Sequence, residues 1–268
     1  METVEISNLG LFASFLLLLI PLLISQRLKL EMNKATFWSI GRMSIQLAVV
    51  GIFLEYVFNL NNLWLNLLWL TLMVLTAVFS AISSSKIKLK VILWPILIAF
   101  ALPTLGVLLY FNALIIRLNY LFEARYLIAL GGMLLGNVLS VSIVAINSFY
   151  QNISSQNKFF LYRLAMAGTQ QEVLAPFLKN SFHLSLLPAL AKTATIGIVS
   201  LPGMMSGQII GGSSPSTAIR YQIAIMIAIY VCGVISVLLA LLLSNKKCFN
   251  DYGVLKEDIF KDYSKAVK

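Results

Sequence analysis

The sequence predicts an all-α integral membrane protein, a polytopic bundle of about seven transmembrane helices, N-terminus outside and C-terminus cytoplasmic. Apolar residues make up 59% of the 268-residue chain and charged residues 11%, about half the charged share of a soluble domain. Mean hydropathy is +0.89. The apolar residues fall in blocks of about 20, enough to cross a hydrocarbon core of about 30 Å. In lipid every backbone N–H and C=O must be paired within the protein, so such blocks are helices.

The first block, near 8–26, follows Glu2 and Glu5 with no Lys or Arg before it. That is the reverse of a secretion signal's basic start, so the block is expected to stay as a first span. Further spans are expected near 36–56, 62–82, 91–112 and 127–149. The next, near 184–202, is interrupted by Pro188, Lys192, Gly197 and Pro202, and the last lies near 219–244. Trp38, Trp64 and Trp94 fall near span ends, where amphipathic rings favour the interface. Trp69 lies deeper, and the sequence gives it no specific role.

Charge sets the direction. The connections after spans 1, 3 and 5 hold Arg27, Lys29, Lys34, Lys86, Lys88, Lys90, Lys158, Arg163 and Lys179, and six more lysines follow span 7. The other side has Arg117, Arg125 and Arg220. Fifteen basic residues against three place the richer side in the cytoplasm. The net charge of +10 therefore belongs to topology. No basic patch interleaved with aromatics points to nucleic acid.

Segment 150–183 is the one long cytoplasmic connection. Residues 158–167 favour helix and end at Gly168, the usual residue past a helix C-terminus. Thr169-Gln-Gln-Glu172 then forms a capping-box pattern. Val173, Leu174, Phe177 and Leu178 recur on one helical face, and Pro176 is expected to kink that helix. The segment reads as helix, glycine turn, helix along the membrane surface. It is either an interfacial hairpin under the bundle or a docking surface for a cytoplasmic partner.

Two motifs repeat small residues every four positions: Gly132, Gly136, Ser140, and Gly203, Gly207, Gly211. This spacing lets helices approach closely in lipid. For the Gly132 stripe both packing within one chain and a homodimer seam fit. Pro202 to Pro215 fits a rigid turn or a moving break of the kind that lines transporter sites. Arg42 and Lys192 lie inside spans, where a charge costs roughly 2.5–3.5 kcal/mol, unless each snorkels to the inner interface. Asn137, Asn147, Gln46 and Gln208 default to hydrogen bonds within the bundle.

Absences narrow the function. One His and two Cys do not make a zinc site or a disulfide framework. No nucleophile, base and acid can be assembled, which disfavours an enzyme. A proton-driven carrier needs a buried carboxylate or histidine relay, yet no Asp precedes Asp251. No G-x-x-x-x-G-K-[ST] occurs, so the chain has no P-loop for a nucleotide. Met204 and Met205 suit a soft ion such as Cu(I) or apolar packing. The metal stays unassigned.

Three stretches resemble the FetB-type (UPF0014) permease family: Arg125-Tyr-Leu with Gly132-Met-Leu-Leu-Gly136-Asn137; Leu164-Ala-Met-Ala-Gly168-Thr169; and Ser200-Leu-Pro-Gly-Met-Met-Ser-Gly-Gln-Ile-Ile-Gly-Gly-Ser-Ser-Pro215 with Tyr221-Gln222-Ile223. The similarity covers most of 120–245. It implies the permease subunit of an ABC transporter in the plasma (inner) membrane, linked to iron export. It also implies a separate FetA-like ATPase carrying ATP and Mg, with no cofactor on this chain. Segment 164–169 is similar to the loop by which ABC permeases meet their ATPase, without the Glu-Ala-Ala start of importer loops.

On this reading residues 1–248 form one permease domain, 157–182 is its coupling loop and 249–268 is a basic cytoplasmic tail. Arg163, Leu164, Ala167, Gly168, Thr169 and Glu172 are the coupling residues. Asn137, Lys192, Pro202, Gly203, Met204, Met205, Gly207 and Gln208 are candidates for the path or gate. Gly132, Gly136 and Ser140 are candidates for dimer packing. An autonomous channel or secondary transporter is the rival reading.

Overall fold

The computed structural model describes residues 7–85, 87–166, 169–250, 252–256, 259 and 260. It is all helical, with no strand among the described residues. The helices are α1 (Asn8–Leu16), α2 (Leu19–Arg27), α3 (Asn33–Leu60), α4 (Leu63–Ser84), α5 (Leu89–Tyr110) with a π-helical extension (Phe111–Ile116), α6 (Ala124–Ser155), α7 (Asn157–Met166), α8 (Gln170–Thr195), α9 (Gly203–Ile210) and α10 (Pro215–Cys248). Six stretches are long and apolar enough to cross a membrane: Asn8–Arg27, Asn33–Leu60, Leu63–Ser84, Leu89–Ile116, Ala124–Ser155 and Pro215–Cys248. They match six of the expected spans.

The helix starts follow their sequence signals. The Asn62 side chain accepts from Trp64 N at 2.9 Å and opens α4. Ser214 accepts from Thr217 N, with Pro215 at the first helical position of α10, where its missing N–H costs nothing. The expected capping box opens α8: Thr169 N donates to Glu172 Oε2, and Glu172 N donates to Thr169 Oγ1.

The core lies between α4, α5, α6 and α10. Leu70, Val78, Ile92, Phe100, Leu127 and Val237 are all buried there. By contrast α1 buries no residue, α2 only Ser25 and α3 only Val57. Their apolar surface faces outward, as lipid-facing helices require. Trp69 stacks on Phe53 at 4.6 Å and ties α3 to α4. The rings of Trp38, Trp64 and Trp94 point outward, each at least two-thirds exposed.

Polar latches fix the helix ends. Asn61 Oδ1 accepts from Ala124 N and from Asn66 Nδ2, and Asn66 Nδ2 also donates to Phe122 O. This joins the α3–α4 turn to the start of α6. At the other end Tyr150 Oη donates to Ser244 Oγ at 2.6 Å. Gly233 sits against Val141 further along the same pair, so α6 and α10 run parallel. The chain between them must therefore return along the bundle.

That return departs from the expected separate span at 184–202. Helix α8 runs unbroken from Gln170 to Thr195, fusing the expected surface helix with most of the expected span. Nothing between Leu178 and Leu184 stops a helix, and α8 continues through Pro176 and Pro188. It ends where Thr193 and Thr195 turn their hydroxyls onto the carbonyls of Ala189 and Ala191 and Gly197 takes φ +93°. Ser181 donates to Ser148, so α8 runs against α6.

The first part of the segment expected as a basic cytoplasmic tail packs onto the bundle. Phe249, Leu255, Ile259 and Phe260 are buried, and Lys88 N donates to Ile259 O at 2.7 Å. Cys248 closes α10 and is fully buried.

Candidate functional site

The return segment builds a cavity of about 450 Å³ between α6, α8, α9 and α10. From α6 it takes Met133, Asn137 and Val141; from α8 it takes Lys192 and Thr193. The break contributes Ser200 to Met204, and α10 contributes Gln222, Met226 and Tyr230. The structure thus brings together Asn137, Lys192, Pro202, Gly203 and Met204 of the sequence candidates. Met205, Gly207 and Gln208 share α9 but do not line the cavity, and Met205 is buried against the bundle.

Local structure explains the wall. Lys192 sits in the last turn of α8, where the negative end of the helix dipole favours a cation. Pro202 stands at the N-cap of α9 without a side-chain cap bond. The free N–H groups of that first turn, at Gly203 and Met204, belong to the cavity wall. Asn137 Nδ2 donates to Met133 O at 2.8 Å, which holds its amide against α6. Gln222 is 6% exposed and its Oε1 has no hydrogen-bond partner. Gln222 and Tyr230 were not among the sequence candidates. A polar residue eight positions into a long apolar helix was the available signal for Gln222; Tyr230 passes for an ordinary apolar-helix aromatic.

No group of three His, Cys, Asp or Glu side chains able to hold a metal exists among the described residues. The charged member of the cavity wall is Lys192.

A second surface lies at the end where α6 meets α7. Phe160 is buried, with Phe177 and Phe249 at ring distances of 6.0 and 6.1 Å. The opposite face of α7 exposes Phe159, Tyr162 and Met166, and Arg163 lies over the Phe159 ring at 5.7 Å. Leu164 is half-buried, close beneath Gly253 of the folded tail. Thr169 and Glu172 are exposed. Ala167 and Gly168, with the expected glycine turn, lie outside the described residues.

The small-residue stripe on α6 divides. A methyl at Gly132 would come within 3.1 Å of Met73 Cε, so this residue packs against α4. Gly136 and Ser140 are exposed, with nothing within 4 Å of a Gly136 methyl. The tightest glycine of α6 is Gly131, at 3.0 Å from Leu70 and 3.4 Å from Leu108.

Comparison with known proteins sets this geometry in context. The chain is 31% identical over 250 residues to an Escherichia coli (strain K12) protein named "Probable iron export permease protein FetB", covering 93% of this chain and 95% of that protein. It is 28% identical over 216 residues to ALUMINUM SENSITIVE 3 of Arabidopsis thaliana, covering 80% and 77%. It is 27% identical over 253 residues to the membrane protein YjkA of Bacillus subtilis (strain 168), covering 93% and 98%. No solved structure matches it. The model of the uncharacterised protein family UPF0014 matches residues 8–249, and the chain, a multi-pass membrane protein, belongs to that family.

Proposed function

We propose that this chain is the permease subunit of an ABC-type exporter, a FetB-like protein of the plasma membrane driven by a separate ATPase. The single observation that carries the reading is the continuity of α8. One helix of 26 residues, about 39 Å long at 1.5 Å per residue, starts beside the exposed face of α7 and ends at the cavity. A push at Thr169 is delivered as a rigid displacement of Lys192 and Thr193. The E. coli relative, named a probable iron export permease, supports the permease role and iron as the cargo.

In this reading the α7 end is cytoplasmic, α8 and α9 together make the broken sixth crossing of seven, and the first residue lies outside. Residues 1–248 are one permease domain and 157–182 couple it to the ATPase. Docking falls on Arg163, Leu164, Ala167, Gly168, Thr169 and Glu172, with Tyr162 and Met166 as apolar anchors. ATP and Mg sit on the partner. Two such chains serve two ATPases, and the exposed Gly136–Ser140 face is where small residues allow a close seam.

The test is reconstitution in liposomes with a FetA-like ATPase, following ATP hydrolysis and iron export together. Replacing Thr169 and Glu172 by Ala should lower stimulated hydrolysis and export while leaving the yield of folded chain unchanged. Export that proceeds with the ATPase omitted would overturn the proposal in favour of an autonomous carrier.

A further inference from the structure

We infer that the cavity between α6, α8, α9 and α10 selects an anionic, oxygen-rich ligand, such as a metal held in a carboxylate chelate, over a bare metal cation. The inference rests on reading that cavity as the translocation site. Two features of the wall share one sign, and a third calls for a hydrogen-bonding ligand. Lys192 is its charged side chain, and no carboxylate among the described residues lines it. The first turn of α9, at Gly203 and Met204, enters the wall without a side-chain cap, which presents free N–H groups and the positive end of a helix dipole. Gln222, 6% exposed and lining the same space, leaves its Oε1 unpaired. As an acceptor that oxygen adds nothing to the positive sign, and it asks for a donor such as a ligand hydroxyl.

A divalent or trivalent cation entering this space meets a like charge and none of the carboxylates that hard cations require. An anion meets an ammonium, backbone donors and the hydroxyls of Ser200 and Tyr230, and charged acceptors strengthen such bonds. The remaining wall is apolar, so screening by the protein is weak. A volume of about 450 Å³ suits a small polycarboxylate complex. Met133, Met204 and Met226 also line the cavity, so a soft cation held by thioethers is the competing ligand to separate.

The full chain in lipid nanodiscs is titrated by calorimetry with citrate, ferric citrate, anaerobic ferrous ion and silver ion. Wild type should bind ferric citrate or citrate and neither free cation. Lys192→Gln should weaken that binding roughly tenfold or more, Lys192→Arg should retain it, and Ala189→Phe, which fills the cavity, should abolish it. Size-exclusion profiles confirm that each variant folds. Ferrous or silver ion binding that Ala189→Phe abolishes, with no anion bound, overturns the charge argument and leaves the cavity as the site. Anion binding indifferent to both Ala189→Phe and Lys192→Gln removes the cavity itself from consideration. Binding of none of the four probes overturns the inference as well.

Discussion

Gly131 and Gly136 sit five residues apart on α6 and do opposite jobs. Gly131 is buried, and a methyl there would press on Leu70 Cδ1 at 3.0 Å, so its missing side chain is what lets α4 approach α6. A Gly136 side chain would meet open space. Overpacking a membrane core costs about 1–3 kcal/mol. Gly131→Val is therefore expected to lower the thermal midpoint of the chain in detergent, whereas Gly136→Leu should leave that midpoint alone and weaken self-association, read by cross-linking or light scattering. Equal thermal effects at the two positions would contradict the assignment. The sequence exposes the four-residue spacing of Gly132, Gly136 and Ser140, but not its direction. A helix rotated by one residue turns 100°, and only packing against Met73 and Leu70 decides which glycine faces inward.

Among the elements, α8 carries the most consequence. Its capping box was legible because Thr169 and Glu172 satisfy backbone donors within four residues, an interaction that needs no tertiary context. Its length was not, because two internal prolines suggest breaks. Neighbouring helices support a proline-bearing helix in a membrane protein, and α8 lies along α6 with Ser181 bonded to Ser148. Amide hydrogen exchange should accordingly show continuous protection across residues 178–186. A fast-exchanging patch at 180–183 would restore two separate helices and remove the mechanical link between coupling surface and cavity. The break that does exist is at Gly197 and Pro202, where positive φ and a proline N-cap end one helix and begin the next.

Across the whole molecule, the basic residues gather at one end. The α2–α3 and α4–α5 connections, α7 and the end of α10 share that end, with Lys29, Lys88, Lys158, Lys246 and Lys256 among them. Arg117 and Arg220 lie at the other end, where Arg220 and Ile115 line one groove. Cys232 and Cys248 are both free and buried, so the native chain gives little background to thiol reagents. Lys158→Cys should react with a membrane-impermeant maleimide only in inside-out vesicles, and Arg117→Cys only in right-side-out cells. The reverse pattern would invert the orientation and place α7 beyond the reach of a cytoplasmic ATPase.

Hydropathy and charge suffice to determine that this chain is helical, which six stretches are long and apolar enough to cross a membrane and which connections are basic. Those properties follow from lipid as a solvent, acting on each segment alone. The family motifs lie in the same local register. The cavity was decided by the fold, because it needs α6, α8, α9 and α10 side by side. Lys192 reads in sequence as a lysine able to snorkel and Gln222 as one polar residue in an apolar helix. Only the parallel course of α6 and α10, with α8 returning between them, turns both toward the same space.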